Sequence, residues 1–198
     1  MSNPKWFKYE WIWNKKNPKG HLNAKIMPLR QHETIILFCK NRINYHPQIR
    51  IGQLRVKGGG KIGSNKGCYG FHLMPKAVND QYYPTSIIEF SGANQADKKH
   101  PTQKPVALIE YLIKTYTLKG ELILDNTAGS GTLAIAAINT DRNYICIEKD
   151  EHYFEVMRDR IKNHDPTAIK PQPKLPKKKP VNDEYIQLSL FNDCLDSL

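Results

Sequence analysis

Two carboxylates, Asp125 and Glu148, stand 23 residues apart, each at the end of a short apolar run: Glu121-Leu122-Ile123-Leu124 before the first, Tyr144-Ile145-Cys146-Ile147 before the second. Between them lie a glycine-bearing turn, Asn126-Thr127-Ala128-Gly129-Ser130-Gly131-Thr132, and the helix-favouring Leu133-Ala134-Ile135-Ala136-Ala137. A strand, a tight turn into a helix, and a second strand ending on an acid are the parts of a nucleotide-type βαβ unit. Adjacent parallel strands joined by a helix bring their C-terminal ends side by side, so both acids would reach one ligand. Gly129 and Gly131 carry no Cβ, which lets the backbone turn sharply and approach that ligand closely. Glu148, at the tip of the second strand, suits the acid that accepts hydrogen bonds from ribose hydroxyls. A βαβ turn with a purely structural role is the competing reading.

The composition of the loop narrows the ligand. No lysine follows the glycines, so nothing neutralises a β- or γ-phosphate, and the third glycine of a dinucleotide fingerprint is missing. A nicotinamide-dependent oxidoreductase fails on that glycine and on the charge of the chain. A nucleoside without phosphates suits the site better. S-adenosylmethionine fits, because an acid at the end of the first strand can hold its cationic methionine part and Glu148 its ribose.

A wider set of residues carries a resemblance. His100-Pro101-Thr102-Gln103-Lys104-Pro105, the helical Val106 to Ile113, Asp125 to Thr132, and Ile147-Glu148-Lys149-Asp150 together resemble the back half of an amino-group DNA methyltransferase. The order is that of the permuted β class, in which the cofactor half follows the target-recognition region, and the resemblance covers roughly residues 5–163. It implies a chain that methylates DNA from S-adenosylmethionine, adenine N6 being favoured over cytosine N4. It also implies that Thr102, Lys104 and Pro105 pack beside the cofactor. Asp125, Asn126, Ala128, Gly129, Ser130, Gly131 and Thr132 would hold its methionine part, and Glu148 its ribose. One small departure is Asn126-Thr127, standing where the family often has Pro-Phe.

A larger departure concerns the chemistry. The family works through an Asp/Asn-Pro-Pro-aromatic motif whose polar side chain and prolyl carbonyl accept hydrogen bonds from the target amino group. No such tetrapeptide occurs in this chain, and no catalytic residue is assigned in it. Asn3-Pro4-Lys5-Trp6 does not substitute for it. One half of a split enzyme, an interrupted gene, and a binding protein without chemistry all remain open. Losing preorganised acceptors costs orders of magnitude in rate, so the isolated chain is expected to be nearly inactive.

Charge points to a polyanionic partner. Thirty Lys and Arg against nineteen Asp and Glu give a net charge of +11, the electrostatic footprint of a protein that meets double-stranded DNA. The segment from Lys15 to Lys25 concentrates Lys15, Lys16, Lys19 and Lys25 and reads as a basic loop between two strands, Trp6 to Trp13 and Glu33 to Cys39. Phosphate contact and simple solvation both account for it. Trp6, Trp11 and Trp13 alternate as packing residues do, with base stacking the rarer use. Residues 41–99 intersperse Gly58, Gly59, Gly60, Gly63, Gly67 and Gly70 with Arg50, Arg55, Lys57 and Lys61, and read as a loop-rich target-recognition region or a partly disordered insertion.

Cys39, Cys68, Cys146 and Cys194 form no C-x-x-C pair, so neither a metal site nor a disulfide framework is indicated, and a reducing cytoplasm is expected. No run reaches the roughly 18 apolar residues that span a bilayer. Tyr153, Val156, Met157 and Ile161 recur at helical spacing over Glu151 to Lys162. A lysine- and proline-rich tether follows, ending near Gln187-Leu188-Ser189-Leu190-Phe191. That pentapeptide resembles the motif by which bacterial proteins dock on the DNA polymerase sliding clamp, with Gln187 as polar anchor and Leu188, Leu190 and Phe191 filling a groove. A tail strand folding back on its own sheet is the alternative.

The expected fold is α/β: a partial Rossmann-like sheet in permuted order with a loop-rich insertion. Strands occupy 1–40, the target-recognition region 41–99, the cofactor-binding βαβ part 100–163, and the flexible tail 164–198. A sheet edge should stay open where a missing strand would pair. That edge invites an N-terminal complement carrying the catalytic motif, or a homo-oligomer.

Overall fold

The computed structural model describes residues 4–57, 77–91 and 103–167. They divide into two compact units. One contains the described residues up to Gln48 together with those from Tyr83 onward, and the other lies within Ile49–Tyr82.

In the first unit, β1 (Phe7–Lys19) pairs antiparallel with β2 (Arg30–Phe38) and parallel with the short β5 (Ile87–Glu89), in the order β2-β1-β5. The aromatic alternation of β1 is a period-2 pattern. It turns Trp11 and Trp13 to one face, where they are only 3 and 4% exposed and pack with Ile88 and Leu108. Each indole N–H finds an acceptor, Trp11 donating to the Tyr116 hydroxyl at 2.6 Å and Trp13 to the Phe90 carbonyl at 2.8 Å. These two tryptophans are therefore packing residues. Helix α1 (Val106–Tyr116) lies on that face, with Leu108 among the core side chains and Tyr111 edge-on to Trp11 at 6.0 Å between ring centroids. Pro105 opens the helix from an extended conformation, which suits a residue that has no N–H to donate.

Downstream, β6 (Leu122–Asp125), α2 (Thr132–Asn139) and β7 (Asn143–Cys146) form the βαβ unit, and β6 and β7 pair in parallel from Leu122↔Asn143 to Asp125↔Cys146. Ala134, Ile135, Ala136 and Ala137 of α2 are buried; small side chains let a helix lie close. Helix α3 (Glu151–Lys162) follows, its first turn capped by Asp150, whose carboxylate accepts from the Tyr153 N–H at 3.1 Å.

The second unit contains an antiparallel pair, β3 (Arg50–Lys57) and β4 (Ala77–Tyr82). The Tyr82 hydroxyl donates to the Gln53 carbonyl at 2.8 Å, and the Arg55 guanidinium lies over the Tyr82 ring at 5.9 Å.

Three elements differ from the sequence reading. The basic stretch from Lys15 is not a loop at its start, because β1 runs on to Lys19 with a register shift between Asn14 and Lys19. Lys16 sits in that irregularity with φ of 65°, its N–H held by the Asn14 side chain at 3.0 Å. Lys16 and Lys19 are exposed, their long aliphatic stems letting the ammonium groups stay wet, whereas Lys15 is partly buried. Second, the continuous apolar run of β2, which suits a sheet covered on both faces, is open on one of them among the described residues: Ile36 is 53% and Phe38 41% exposed. Third, the stretch read as loop-rich contains the β3–β4 pair and β5, and β5 belongs to the β1 sheet. Its weak periodicity reflects strands with wet faces, which propensity reads poorly.

Candidate functional site

At the carboxyl ends of β6 and β7 the chain makes a tight cradle. Asp125 closes the first strand, and its carboxylate accepts from the Thr127 N–H at 3.0 Å, an Asx turn that bends the backbone away from the strand. The Ala128 N–H then reaches across to the Ile147 carbonyl at 3.0 Å, so the loop after one strand is tied to the end of the other. Gly129 and Gly131 both have positive φ, 52° and 74°. A Cβ on Gly131 would lie 2.5 Å from Cγ of Met157 on α3, so glycine is demanded there by conformation and by space. Helix α2 starts directly at Thr132, which aims the N–H groups of its first turn at the cradle.

Glu148 faces this loop from the other strand. Its carboxylate accepts from the Gly129 N–H at 2.6 Å and from the Asp150 N–H at 2.9 Å. The Asp150 and Gly129 N–H groups, in that order of effect, hold its carboxyl below the usual carboxylate range. It stays anionic at neutral pH and retains lone pairs to accept from hydroxyl groups. Beside Asp125 in the register stands Cys146, whose thiol is pushed up to about 11 by burial first and by the Asp125 charge second. That thiol is protonated and inert at neutral pH.

Ser130 fixes the outer side of the loop. Its hydroxyl donates to the Gln103 side chain at 3.0 Å, and Arg160 of α3 donates to its carbonyl at 3.0 Å. Arg160 also approaches the buried Thr132 hydroxyl at 3.4 Å. Asn126 is exposed and Ala128 buried, while Thr102 and the preceding His100-Pro101 lie outside the described residues.

Next to Gln103, Lys104 turns away from the loop. Its ammonium is 2.6 Å from a Glu33 oxygen, and Lys15 pairs with the other oxygen of the same carboxylate. Both ammonium groups also lie over the Trp13 ring, at 5.4 and 5.6 Å from its centroid. Burial raises the Glu33 carboxyl, but the hydrogen bonds and charges of Lys104 and Lys15 outweigh it and leave the group below its ordinary value. Lys104 therefore contacts Glu33, not the glycine loop, in this structure. Lys15, only 19% exposed, is committed to an ion pair. Sequence reading missed Glu33 and Arg160, since nothing local marks a carboxylate whose lysine partner is 71 residues away.

The other cations are dispersed. Lys16 pairs loosely with Glu89 at 3.4 Å, and Lys19 and Lys25 are exposed on the first unit. Arg50, Arg55 and Lys57 are on β3 in the second unit. Lys61, and the tail residues Gln187, Leu188, Leu190 and Phe191, lie outside the described residues. Among the described residues, no helix is long and apolar enough to cross a membrane.

Known proteins are similar to this chain in sequence and fold. The N6/N4 methyltransferase family, described as DNA methylase, matches residues 2–159. The type II methyltransferase M2.MboI of Moraxella bovis is 46% identical over 104 residues, covering 51% of this chain and 37% of its own length. M.HinfI of Haemophilus influenzae is 26% identical over 200 residues, covering 92% of this chain and 49% of its own length. Among solved structures, M1.HpyAVI in complex with SAM superposes with a TM-score of 0.51 at 26% identity, over 78% of this chain and 62% of that one. The cytosine-N4-specific PvuII DNA methyltransferase, at 17% identity and a TM-score of 0.52 over 83% of this chain and 54% of its own, shares the fold. The fold is thus the Rossmann-like α/β fold of the methyltransferases. The chain spans half or less of the length of these two curated relatives. With the family match running through both strands of the β1–β2 hairpin and on into α3, the chain belongs to the N6/N4 DNA methylase family.

Proposed function

We propose that this chain is the cofactor- and DNA-binding part of a site-specific DNA amino-methyltransferase, transferring a methyl group from S-adenosylmethionine to adenine N6 of double-stranded DNA. The observation that carries the reading is the cradle between β6 and β7. Two positive-φ glycines, the strand-end carboxylate of Asp125 and an anionic Glu148 fit a cationic nucleoside better than a phosphate. Asp125 would face the cationic methionine part and Glu148 would accept from the ribose hydroxyls. The backbone from Ala128 to Thr132 would close on the ligand where side chains are absent. S-adenosylmethionine supplies an electrophilic methyl group on a sulfonium centre. Holding the acceptor nitrogen in line with that methyl requires fixed hydrogen-bond acceptors, and the Asp/Asn-Pro-Pro-aromatic motif that provides them is absent from this sequence.

The net charge of +11 supplies a salt-sensitive attraction to the phosphate backbone, with Lys19, Lys25 and Arg50 among the exposed cations. Type II methyltransferases among the relatives support a restriction-modification setting. Calorimetric titration with S-adenosylmethionine tests the reading. Micromolar binding that Asp125→Ala abolishes is the expected result. DNA binding without cofactor binding would instead favour a non-catalytic DNA-binding remnant. Clamp docking through Gln187, Leu188, Leu190 and Phe191 is proposed on the pentapeptide alone, and a peptide covering 183–195 that fails to bind purified clamp at submillimolar concentration would remove it.

A further inference from the structure

The glycine turn of the cradle cannot hold its own shape. Gly129 and Gly131 bracket Ser130 with φ of 52° and 74°. Glycine enters such angles at no steric cost and leaves them as readily, so the shape depends on the groups that bind the peptide units. Helix α2 gives no help, because Gly131 stands at its N-cap and no side chain caps it. From the β7 side, Glu148 holds the Gly129 N–H at 2.6 Å. The hold on the other half of the turn comes from α3.

Arg160 lies 30 residues beyond Ser130 in the chain, and its Nη1 donates to the Ser130 carbonyl at 3.0 Å. The same nitrogen stands 3.4 Å from the hydroxyls of Ser130 and Thr132. Those two residues are only 3 and 8% exposed, so water competes little for the contacts, and a hydrogen bond from a cation is stronger than one between neutral groups. Met157, three residues earlier and so on the same face of α3, fills the space beside Gly131. Helix α3 therefore meets the turn twice: Met157 limits its volume, and Arg160 fixes the direction of the Ser130 carbonyl.

We propose that Arg160 is the positioning residue of the cofactor turn, holding the backbone from Gly129 to Thr132 in the shape that receives S-adenosylmethionine. It acts through the Ser130 carbonyl and not on the cofactor. The inference rests on the functional reading above, which places the cofactor in this turn. Without the Arg160 bond the Gly-Ser-Gly backbone spreads over several conformations. Only the fraction that keeps the receiving shape binds, and the apparent affinity falls by that fraction. All three of these contacts run through one nitrogen, so neither the fork nor the stacking that makes arginine irreplaceable elsewhere is in use. A lysine ammonium can therefore stand in for Nη1, and an apolar side chain of similar length cannot.

The test measures S-adenosylmethionine binding by calorimetry, amide exchange over residues 128–133 without ligand, and the urea midpoint. Arg160→Met should weaken cofactor binding about 20-fold, as for a turn that keeps its receiving shape in roughly one chain in twenty. It should also speed exchange across the turn and leave the urea midpoint near that of the parent. Arg160→Lys should bring binding back to within about 3-fold of the parent, because it keeps a cationic donor. Arg158→Met removes an equal charge from the same helix, where Arg158 pairs with Glu155 at 3.0 Å, and should change neither binding nor exchange. Parent-like binding by Arg160→Met, or binding by Arg160→Lys as weak as that of Arg160→Met, would overturn the proposal. So would an Arg160→Met chain that fails to fold, since Arg160 would then serve stability rather than position. A parent chain that binds no S-adenosylmethionine overturns the functional reading instead, and unchanged exchange in Arg160→Met would then remove the hold on the turn as well.

Discussion

The glycine cradle and the Glu33 cluster are built in opposite ways. The first is built mainly from one βαβ unit, where the link from Gly129 to Glu148 spans 19 residues, with Gln103 and Arg160 bracing its loop from outside. The second gathers Lys15 and Glu33 from the β1 sheet and Lys104 from the approach to α1, with Lys104 and Glu33 71 residues apart. The cradle needs the turn geometry of its own segment, the close approach of α3 and the single brace from Gln103. The cluster exists only once the residues around α1 have docked on the β1 sheet. Locality therefore separates a site that can form early, with little loop-closure cost, from one that reports completed tertiary structure. Residues 103 and 104 join the two, since Gln103 holds Ser130 of the cradle and Lys104 holds Glu33 of the cluster.

Removing the platform of the cluster should have the largest effect. Trp13→Ala deletes an indole that is 4% exposed, its bond to the Phe90 carbonyl, and the ring beneath both lysines. The expected loss is about 3–5 kcal/mol in urea unfolding. A loss below about 1 kcal/mol would mean that the sheet and α1 are not one cooperative core.

The cradle breaks differently. Gly131→Ala meets both a φ of 74° and Met157 Cγ at 2.5 Å, and should cost about 2–4 kcal/mol of stability from left-handed strain and overpacking together. Adding Met157→Ala should relieve the packing part but not the backbone part. Thermal unfolding of the single and double variants separates the two, and full recovery in the double variant would refute the conformational argument.

A smaller effect sharpens the comparison. Glu33→Gln should cost about 1 kcal/mol, because the carboxylate is partly exposed and water screens its ion pairs. The pH dependence has a definite sign. Lys104 and Lys15 depress the folded-state carboxyl against the opposing effect of burial, so its stabilisation is present above the unfolded value of about 4.3 and is lost as pH falls through the lower folded value. Urea midpoints recorded downward from pH 6 should fall less steeply for Glu33→Gln than for the parent chain in the acid range. Parallel curves would show that the carboxylate is not held by its lysines.

The helix and strand elements around the cradle were legible because their signals are short-range. The spacing of Tyr153, Val156, Met157 and Ile161 marks α3 over its full observed extent, and the runs before Asp125 and Glu148 mark β6 and β7. The extension of β1 through Lys15 and Lys16 was hidden, since a strand with one wet face tolerates cations that a residue-by-residue reading assigns to a loop. The open apolar face of the β6–β7 pair was equally hidden in detail. Leu122 and Leu124 read only as part of an apolar strand run, and the folded chain alone shows them exposed.

The sequence by itself determined the βαβ unit, the acids at its strand tips and the glycines of its turn. Each of these depends on backbone conformation and periodicity within a few tens of residues. The tertiary structure alone decided that Glu33 binds Lys15 and Lys104, that Met157 demands the glycine at 131, and that one face of β6 and β7 lies open. Those facts depend on which side chains meet after elements far apart in the chain have packed, and no local propensity encodes such a meeting.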